Sequence, residues 1–282
     1  MNARSRIDPD QLDLTLSALR LPTFRALWRD FAERANGEGW PAARLLAALA
    51  EHELAERERR RKERHLQEAR LTPGKTLDSF EFDAVPNLSR ARVHALAAGD
   101  GWLEQGANLL CFGPPGTGKS HLASAIGLAL VENNYRVLFT RTTDLVQKLQ
   151  RARQELALEA ALNRLDRFHL LILDDFTYLQ KNEAESGVLF ELISLRYERR
   201  SLLLTANQPF QEWATLFPSE TVAVAAVDRL VHHSIILEMN AESYRRRAAQ
   251  RNAAGPGRPT RYATRKNTPA NAAEPARSTE TK

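Results

Sequence analysis

The chain has 282 residues, 43% of them hydrophobic and 27% charged, which is enough for one substantial core with appendages but not for two large domains. Its net charge of +5 is concentrated at the end, because residues 245–282 hold ten basic and two acidic side chains and the preceding part therefore carries about −3. Cys111 is the only cysteine, which excludes an internal disulfide and a Cys₄ metal site. No apolar run approaches the ~20 residues of a membrane span. We therefore expect a soluble cytoplasmic protein without a membrane partner.

Residues 1–72 are predicted to form a small all-helical N-terminal domain. Leucines and aromatic residues recur at three- and four-residue steps, Asn36-Gly37 is a predicted helix stop, and Pro41 opens a longer helix. In that helix, residues 57–64 contain six basic and two acidic side chains and no apolar one. A solvated helix face explains this run, as does a phosphate-backbone contact or a partner-docking arm. The candidate DNA contacts in it are Arg59, Arg60, Arg61 and Lys62.

A second domain is predicted to begin at residue 73. The segment Thr72-Pro73-Gly74-Lys75 ends the long helix, because proline and glycine punctuate regular structure. An extended segment over residues 76–82 and a helix near residues 88–98 are predicted to follow.

A glycine-rich segment then stands between a predicted strand, residues 108–112, and a predicted helix, residues 121–130. It fits the pattern G-x-x-x-x-G-K-S/T at every fixed position, and it consists of Gly113, Pro114, Pro115, Gly116, Thr117, Gly118, Lys119 and Ser120. Glycines let successive N–H groups point at an anion, and a helix N-terminus adds partial positive charge. The pattern predicts a phosphate loop in which Lys119 reaches the β- and γ-phosphates of ATP and Ser120 ligates Mg²⁺. The alternative is a glycine turn that merely precedes a helix.

Two helices are predicted where one would suffice. After a second strand at residues 136–140, helical patterns cover residues 144–153 and 156–165. A βαβ crossover needs one helix, so the other is an insertion.

Two carboxylates end the predicted third strand, residues 168–173. In a phosphate-loop protein, Asp174 would orient the Mg²⁺ shell and Asp175 would polarise the attacking water. A solvated turn is the alternative.

The remaining core elements are a helix at residues 188–195, a fourth strand at 201–205 and a fifth at 234–239. Asn207 follows the fourth strand, where its amide would hold the lytic water or sense the γ-phosphate, or would only cap a turn before Pro209. Residues 249–282 are predicted to be a disordered basic tail that binds polyanions weakly or keeps the protein soluble.

Taken together, these residues resemble the AAA+ ATPases of the helicase-loader branch, and within it the IstB-like transposition helper ATPases of certain bacterial insertion elements. The resemblance covers most of residues 10–248. The matching segments, in chain order, are the Arg-rich helix, residues 75–80, the phosphate loop, residues 171–176, residues 196–201, Asn207 with Pro209-Phe210 and Trp213, Asp228-Arg229-Leu230, and Ser243-Tyr244-Arg245.

The resemblance implies a fold and several residue roles. The fold is an α/β P-loop AAA+ domain over residues 73–248, with a five-stranded parallel sheet and flanking helices. Asn207 takes the sensor-one position, Arg229 matches the arginine finger that reaches a neighbouring subunit's γ-phosphate, and Arg245 matches the second sensor arginine. The insertion corresponds to a DNA-groove element, for which the candidate contacts are Lys148, Arg151 and Arg153.

The function implied is that of a DNA-binding ATPase that forms head-to-tail homo-oligomers on duplex DNA and assists a transposase, with slow ATP hydrolysis as the disassembly switch. A replicative helicase loader, which would bind a hexameric helicase and prefer single strands, is the first alternative. A P-loop kinase is the second, although no acceptor-binding residues or arginine-bearing lid were found for it.

Overall fold

A computed structural model describes residues 8–99, 101–177, 182–244 and 246. The predicted tail and Arg245 lie outside these ranges. The helices are α1 (Pro9–Ala18), α2 (Pro22–Glu38), α3 (Ala42–Ala69), α4 (Arg90–Ala98), α5 (Lys119–Glu132), α6 (Thr142–Gln154), α7 (Leu158–Leu165), α8 (Glu183–Arg196) and α9 (Glu220–Val231). The strands are β1 (Asn108–Phe112), β2 (Val137–Arg141), β3 (Leu170–Asp174), β4 (Ser201–Ala206) and β5 (Ser234–Glu238).

The five strands form one parallel sheet in the order β2-β3-β4-β1-β5. This confirms the predicted fold class, and α6 and α7 confirm that two helices connect β2 to β3. Because all strands run in the same direction, the segments that follow β1, β3 and β4 leave the sheet at one edge. Phe112 pairs with Ala206 at the ends of β1 and β4, which places β4 between the strand before the phosphate loop and the strand that carries Asp174.

Both faces of the sheet are covered, which explains why its central strands read as continuous apolar runs. Leu109 and Cys111 of β1 face one core with α4 and α5, while Leu110 and Phe112 face the other with α6, α8 and α9. Burial raises the pKa of the Cys111 thiol to about 12, so this side chain acts as a small apolar group.

Two local predictions were wrong. Helix α2 does not stop at Asn36-Gly37 but continues to Glu38, because Gly39, with φ of 68°, supplies the left-handed residue that ends it. Residues 76–82 are not extended, since the Ser79 N–H donates to the Thr76 hydroxyl at 3.1 Å and the Phe80 N–H to the Leu77 carbonyl at 3.2 Å.

A buried glutamate holds the N-terminal helices together. Glu53 of α3 is 3% exposed, and it accepts hydrogen bonds from the N–H groups of Thr23 and Phe24 at 2.8 and 3.3 Å. These groups belong to the first turn of α2, whose own N-cap residue Leu21 makes no side-chain cap. Arg57 forms an ion pair with the same carboxylate at 2.8 Å. One carboxylate of α3 therefore caps a different helix.

We expect Glu53→Gln to lower the free energy of unfolding by about 2–4 kcal/mol, because it removes a buried charge-assisted network. Burial alone would raise the pKa of Glu53, but the hydrogen bonds from Arg57 and the two N–H groups outweigh it and leave the pKa below 4.5. Because the folded pKa is depressed, this stabilisation is present above the unfolded pKa and is lost as the pH falls through the folded value. Thermal melting as a function of pH measures both effects.

The matched control for that prediction is Glu51→Gln, since Glu51 is exposed on the same helix. Equal melting temperatures for the two variants at neutral pH would contradict the cap.

Helix α3 extends from the N-terminal helices onto the sheet domain. Its last residue, Ala69, is fully buried in the core beneath α5. Farther back, Glu68 pairs with Arg136 at 2.7 Å and Glu58 accepts from Asn134 at 3.1 Å. The basic helix is thus held against the sheet domain, and the domain boundary at residue 72 stays a prediction.

A buried arginine fixes the opposite edge of the sheet. Arg196, 1% exposed, donates to the carbonyls of Leu165, Phe168, His169 and Ser201 at 2.9–3.3 Å. Burial lowers its pKa to about 9. These bonds tie the segments entering β3 and β4 to one side chain, which stabilises the register of the two strands whose far ends carry Asp174 and Asn207.

Among the described helices, none is both long and apolar enough to cross a membrane.

Candidate nucleotide site

The phosphate loop connects β1 to α5 through three glycines with positive φ. Gly113 has φ of 152°, Gly116 of 84° and Gly118 of 98°. A Cβ atom on Gly113 would lie 2.2 Å from the carbonyl oxygen of Met239, and one on Gly116 would lie 2.1 Å from the Ser243 hydroxyl. Both the backbone conformation and the close approach of the segment after β5 therefore require glycine here.

Lys119 is drawn into this loop. Its side chain is 6% exposed, and its ammonium group donates to the carbonyls of Gly113 at 2.7 Å and Pro114 at 2.9 Å. The Thr117 hydroxyl donates to the same Pro114 carbonyl at 3.0 Å. The loop is thus closed around a positive charge at the N-terminus of α5, which is the electrostatic arrangement that a phosphate group requires.

The first acid of the pair is buried and held by a neighbouring strand. Asp174 is 6% exposed, and one of its carboxylate oxygens accepts from the Thr205 hydroxyl at 2.6 Å. The same hydroxyl accepts from the Asp175 N–H at 3.0 Å. Asp175 has φ of 55°, in the left-handed region. Both acids were predictable from the sequence, but Thr205 was not, because the residue that lies beside Asp174 is known only once the strand order is known.

Asn207 lies at the edge of the sheet that carries the phosphate loop. It follows β4, which is hydrogen-bonded to β1 on one side and β3 on the other. Its N–H donates to the Thr177 hydroxyl at 3.1 Å, which joins it to the segment after the acid pair. The phosphate loop, the acid pair and Asn207 therefore follow three adjacent strands and lie at the same edge of the sheet.

The donor set at this edge suits Mg²⁺. Ser120 offers a hydroxyl oxygen in the first turn of α5, and Asp174 offers a carboxylate at the end of β3. Hard divalent cations prefer oxygen ligands, and Mg²⁺ next to a nucleotide takes only one or two from the protein. These residues fit the ion.

The segment before the sheet domain contacts the first turn of α5. His121 Nε2 lies 3.1 Å from the Ser79 hydroxyl and 3.2 Å from the Thr76 carbonyl, and its ring packs edge-on against Phe80 at 5.4 Å. Burial lowers the pKa of His121. The connection from the N-terminal helices is thus fastened two residues from Lys119.

Arg229 is half-buried on α9, at the end of the sheet opposite its own phosphate loop. Its guanidinium donates to the Ala225 carbonyl at 2.8 Å and sits 5.1 Å from the ring centre of Phe190 in α8. Its backbone carbonyl accepts from Asn108 at the start of β1, whereas the loop begins after the end of that strand, about 13 Å farther on.

Arg245, the other arginine that the resemblance singled out, lies outside the described residues. The N–H of its neighbour Tyr244 donates to the Gly116 carbonyl at 2.9 Å, so the described part of this segment reaches the phosphate loop.

The seven candidate DNA contacts fall into two groups. In α3, Arg59 and Arg60 pair with Glu56, and Lys62 pairs with Glu58, while Arg61 is exposed. The hydrogen bonds to Arg59 and Arg60 lower the pKa of Glu56 to about 2. This run is therefore partly neutralised by its own helix.

In α6 the basic residues are less neutralised. Lys148 and Arg151 are exposed, and Arg153 pairs with Glu191 of α8. Arg151 and Arg153 lie in the last turn of the helix, where basic side chains complement the helix dipole.

A family model described as IstB-like ATP binding protein matches residues 14–253 of the chain. A protein of Sinorhizobium fredii, provisionally named an insertion sequence ATP-binding protein, is 63% identical over 266 residues, which cover 94% of this chain and 89% of that protein. A similarly named IS21 protein of Pseudomonas aeruginosa is 35% identical, with 83% and 88% of the two chains covered.

Solved structures share the fold of the sheet domain. AMPPCP-bound DnaA from Aquifex aeolicus aligns with a TM-score of 0.51 and 21% identity over 65% of this chain and 55% of that one. The DnaC helicase loader aligns with a TM-score of 0.51 and 23% identity over 59% of this chain and 97% of that one. At these identities the likeness establishes the P-loop AAA+ fold alone.

Proposed function

The chain belongs to the IstB-like ATP-binding protein family, and from this we propose that it is an ATPase that assembles on duplex DNA and assists the transposase of an insertion element. The insertion-sequence names of its relatives support the transposition role. One observation carries the mechanism: the phosphate loop, acid pair and Asn207 share one edge of the sheet, while Arg229 is held elsewhere on the same chain.

In this proposal ATP binds at the carboxyl edge of the sheet. Loop N–H groups and Lys119 contact the phosphates, and Ser120 and Asp174 hold Mg²⁺. The ion would neutralise charge on the β- and γ-phosphate oxygens. Asp175 polarises the attacking water, and Asn207 positions that water or contacts the γ-phosphate. Arg245 acts as a second sensor.

Assembly follows from the separation of Arg229 from its own loop. Because Arg229 lies at the end of the sheet opposite its own phosphate loop, we expect it to complete the site of a second copy. A contact between two different surfaces is head-to-tail. Such contacts propagate into a ring or an open helix. Loss of the γ-phosphate removes the anion that Arg229 binds, so hydrolysis releases the contact and acts as a disassembly switch.

In this proposal, basic side chains on α6 and α3 bind the DNA. Lys148 and Arg151 are exposed at the insertion, and Arg153, Arg59, Arg60, Arg61 and Lys62 are further candidates. Lysine and arginine side chains of this kind contact DNA phosphates rather than the edges of the nucleobases. Binding would therefore show little sequence preference and steep salt dependence.

The test measures duplex DNA binding and phosphate release by the full chain with ATP, with a non-hydrolysable ATP analogue, with ADP and without nucleotide. We expect stable assemblies on duplex DNA with the analogue, their loss with ADP, and phosphate release from ATP that duplex DNA stimulates. Particles that stay monomeric in every nucleotide state, with and without DNA, would contradict the proposal.

Arg151→Ala and Arg92→Ala provide a matched pair for the DNA arm, because both arginines are exposed and Arg92 lies on α4, across the sheet from α6. Only the first should weaken DNA binding, and it should reduce the slope of log affinity against log salt by about 1. Equal slopes for the two variants would remove α6 from the DNA interface.

A further inference from the structure

We propose that Thr205 is a positioning residue for the ATPase reaction, and that its one hydroxyl sets the arrangement of both acids. This inference rests on the proposed ATPase function. Thr205 sits near the end of β4 and is 1% exposed. The proposed reaction assigns it no contact with ATP.

The hydroxyl of Thr205 makes two bonds with opposite polarity. It donates to a carboxylate oxygen of Asp174 at 2.6 Å, and it accepts from the N–H of Asp175 at 3.0 Å. A hydroxyl has one proton and lone pairs, so both bonds form at once. The first is charge-assisted and therefore strong for its kind.

The bond to Asp174 determines the orientation of the carboxylate. A carboxyl group rotates broadly about its last torsion, and a donor fixed in a neighbouring strand selects one orientation. A second hydroxyl holds the backbone at this point, since Thr142 donates to the Asp174 carbonyl at 3.0 Å. Both the main chain and the side chain of Asp174 are thus anchored to elements other than β3.

The bond to Asp175 supports a strained residue. Asp175 has φ of 55°, in the left-handed region that few residues other than glycine adopt. The Thr205 hydroxyl accepts its N–H, and the Thr205 carbonyl accepts the next N–H, from Phe176, at 2.8 Å. The turn that presents the second acid is therefore fastened to β4 at consecutive amides.

Register explains why this residue can serve both acids. Leu173 pairs with Leu204, so the next residues along the two parallel strands, Asp174 and Thr205, stand side by side at the edge of the sheet. A valine at position 205 would fill the same space without the hydroxyl, and a serine would keep the hydroxyl.

A purely structural role for Thr205 predicts a different outcome from a positioning role. If the hydroxyl only satisfied buried polar groups, its loss would weaken nucleotide binding and activity alike, with and without Mg²⁺. If the hydroxyl orients Asp174 towards the metal, its loss reduces only the Mg²⁺-dependent part of nucleotide affinity and activity.

The experiment compares Thr205→Val and Thr205→Ser with wild type in two assays, titration with a fluorescent ATP analogue in EDTA or in Mg²⁺, and phosphate release as a function of Mg²⁺. For Thr205→Val we expect the affinity for the ATP analogue in EDTA to stay within about twofold of wild type. The factor by which Mg²⁺ increases that affinity should fall roughly tenfold, and kcat should also fall roughly tenfold. Thr205→Ser should stay within about threefold of wild type in both assays.

Thr140→Val is the matched control, because Thr140 lies in the parallel strand β2 and its hydroxyl bonds only to the Arg141 carbonyl among the described contacts. It should leave the Mg²⁺ dependence unchanged. Asn207→Ala should lower kcat without changing the half-saturating Mg²⁺ concentration.

Wild-type Mg²⁺ dependence in Thr205→Val, or equal losses of affinity in EDTA and in Mg²⁺, would overturn the inference. If thermal melting shows that the valine variant is unfolded, Thr205→Ala against Thr205→Ser gives the same comparison. Failure of wild type to hydrolyse ATP would count against the proposed function, whereas the binding assay would still decide the role of Thr205.

Discussion

Replacing Lys119 with alanine is expected to weaken ATP binding by roughly 100-fold or more, the largest effect of any single change in the phosphate loop. The ammonium group is buried and already bonded to the Gly113 and Pro114 carbonyls, so its charge is concentrated where the phosphates are expected. A phosphate entering the variant loop would lose that charge in a site partly shielded from water. Titration with a fluorescent ATP analogue measures the loss.

Lys75→Ala is the control for this variant, since Lys75 is a partly buried lysine outside the loop. It should bind the analogue as wild type does. Because Lys119 also bonds two loop carbonyls, thermal melting of the nucleotide-free variant separates loop damage from lost charge. Unchanged affinity in a folded Lys119→Ala protein would remove the loop from the nucleotide site.

The phosphate loop and its flanks were predictable because their signals are local. The strand at residues 108–112 was predicted with its observed bounds, and the glycines, Lys119 and Ser120 follow it directly. Asn207 follows β4, which lies beside the strand of Asp174, and its role in the site stays a prediction.

What the sequence left out depends on contacts between distant segments. Thr205 and Asp174 are 31 residues apart, and only the order β3-β4-β1 brings them together. Glu53 likewise caps a helix that begins 31 residues earlier. Neither contact has a spacing that a one-dimensional pattern could detect.

The basic run of α3 is a different case, because its partners could have been found. Glu56 stands three residues before Arg59 and four before Arg60, and Glu58 stands four before Lys62, which are the spacings of helical ion pairs. Counting charges alone exaggerated how much positive charge the run presents. Of the two basic elements, α6 is therefore the better candidate for DNA contact.

The position of Arg229 separates it from its own phosphate loop. Its guanidinium is bonded to the Ala225 carbonyl and packs over Phe190, on helices that lie against one face of the sheet. The phosphate loop leads into α5, which lies against the other face. A single chain would have to rebuild this arrangement to bring the two together, whereas a second copy needs only to dock.

Arg229→Ala is therefore expected to reduce ATP hydrolysis by roughly 1,000-fold while leaving ATP binding nearly unchanged, because a finger arginine acts on the transition state of a neighbouring site.

Mixing this variant with Lys119→Ala tests directly whether Arg229 serves the site of a neighbouring subunit. Each protein alone is inactive, but in a random equal mixture roughly a quarter of the contacts join an intact loop to an intact Arg229 and regain activity. Arg199→Ala, an exposed arginine near the same end of the molecule, is the control and should keep wild-type turnover. A mixture as inactive as its components would mean that Arg229 does not serve another subunit's site.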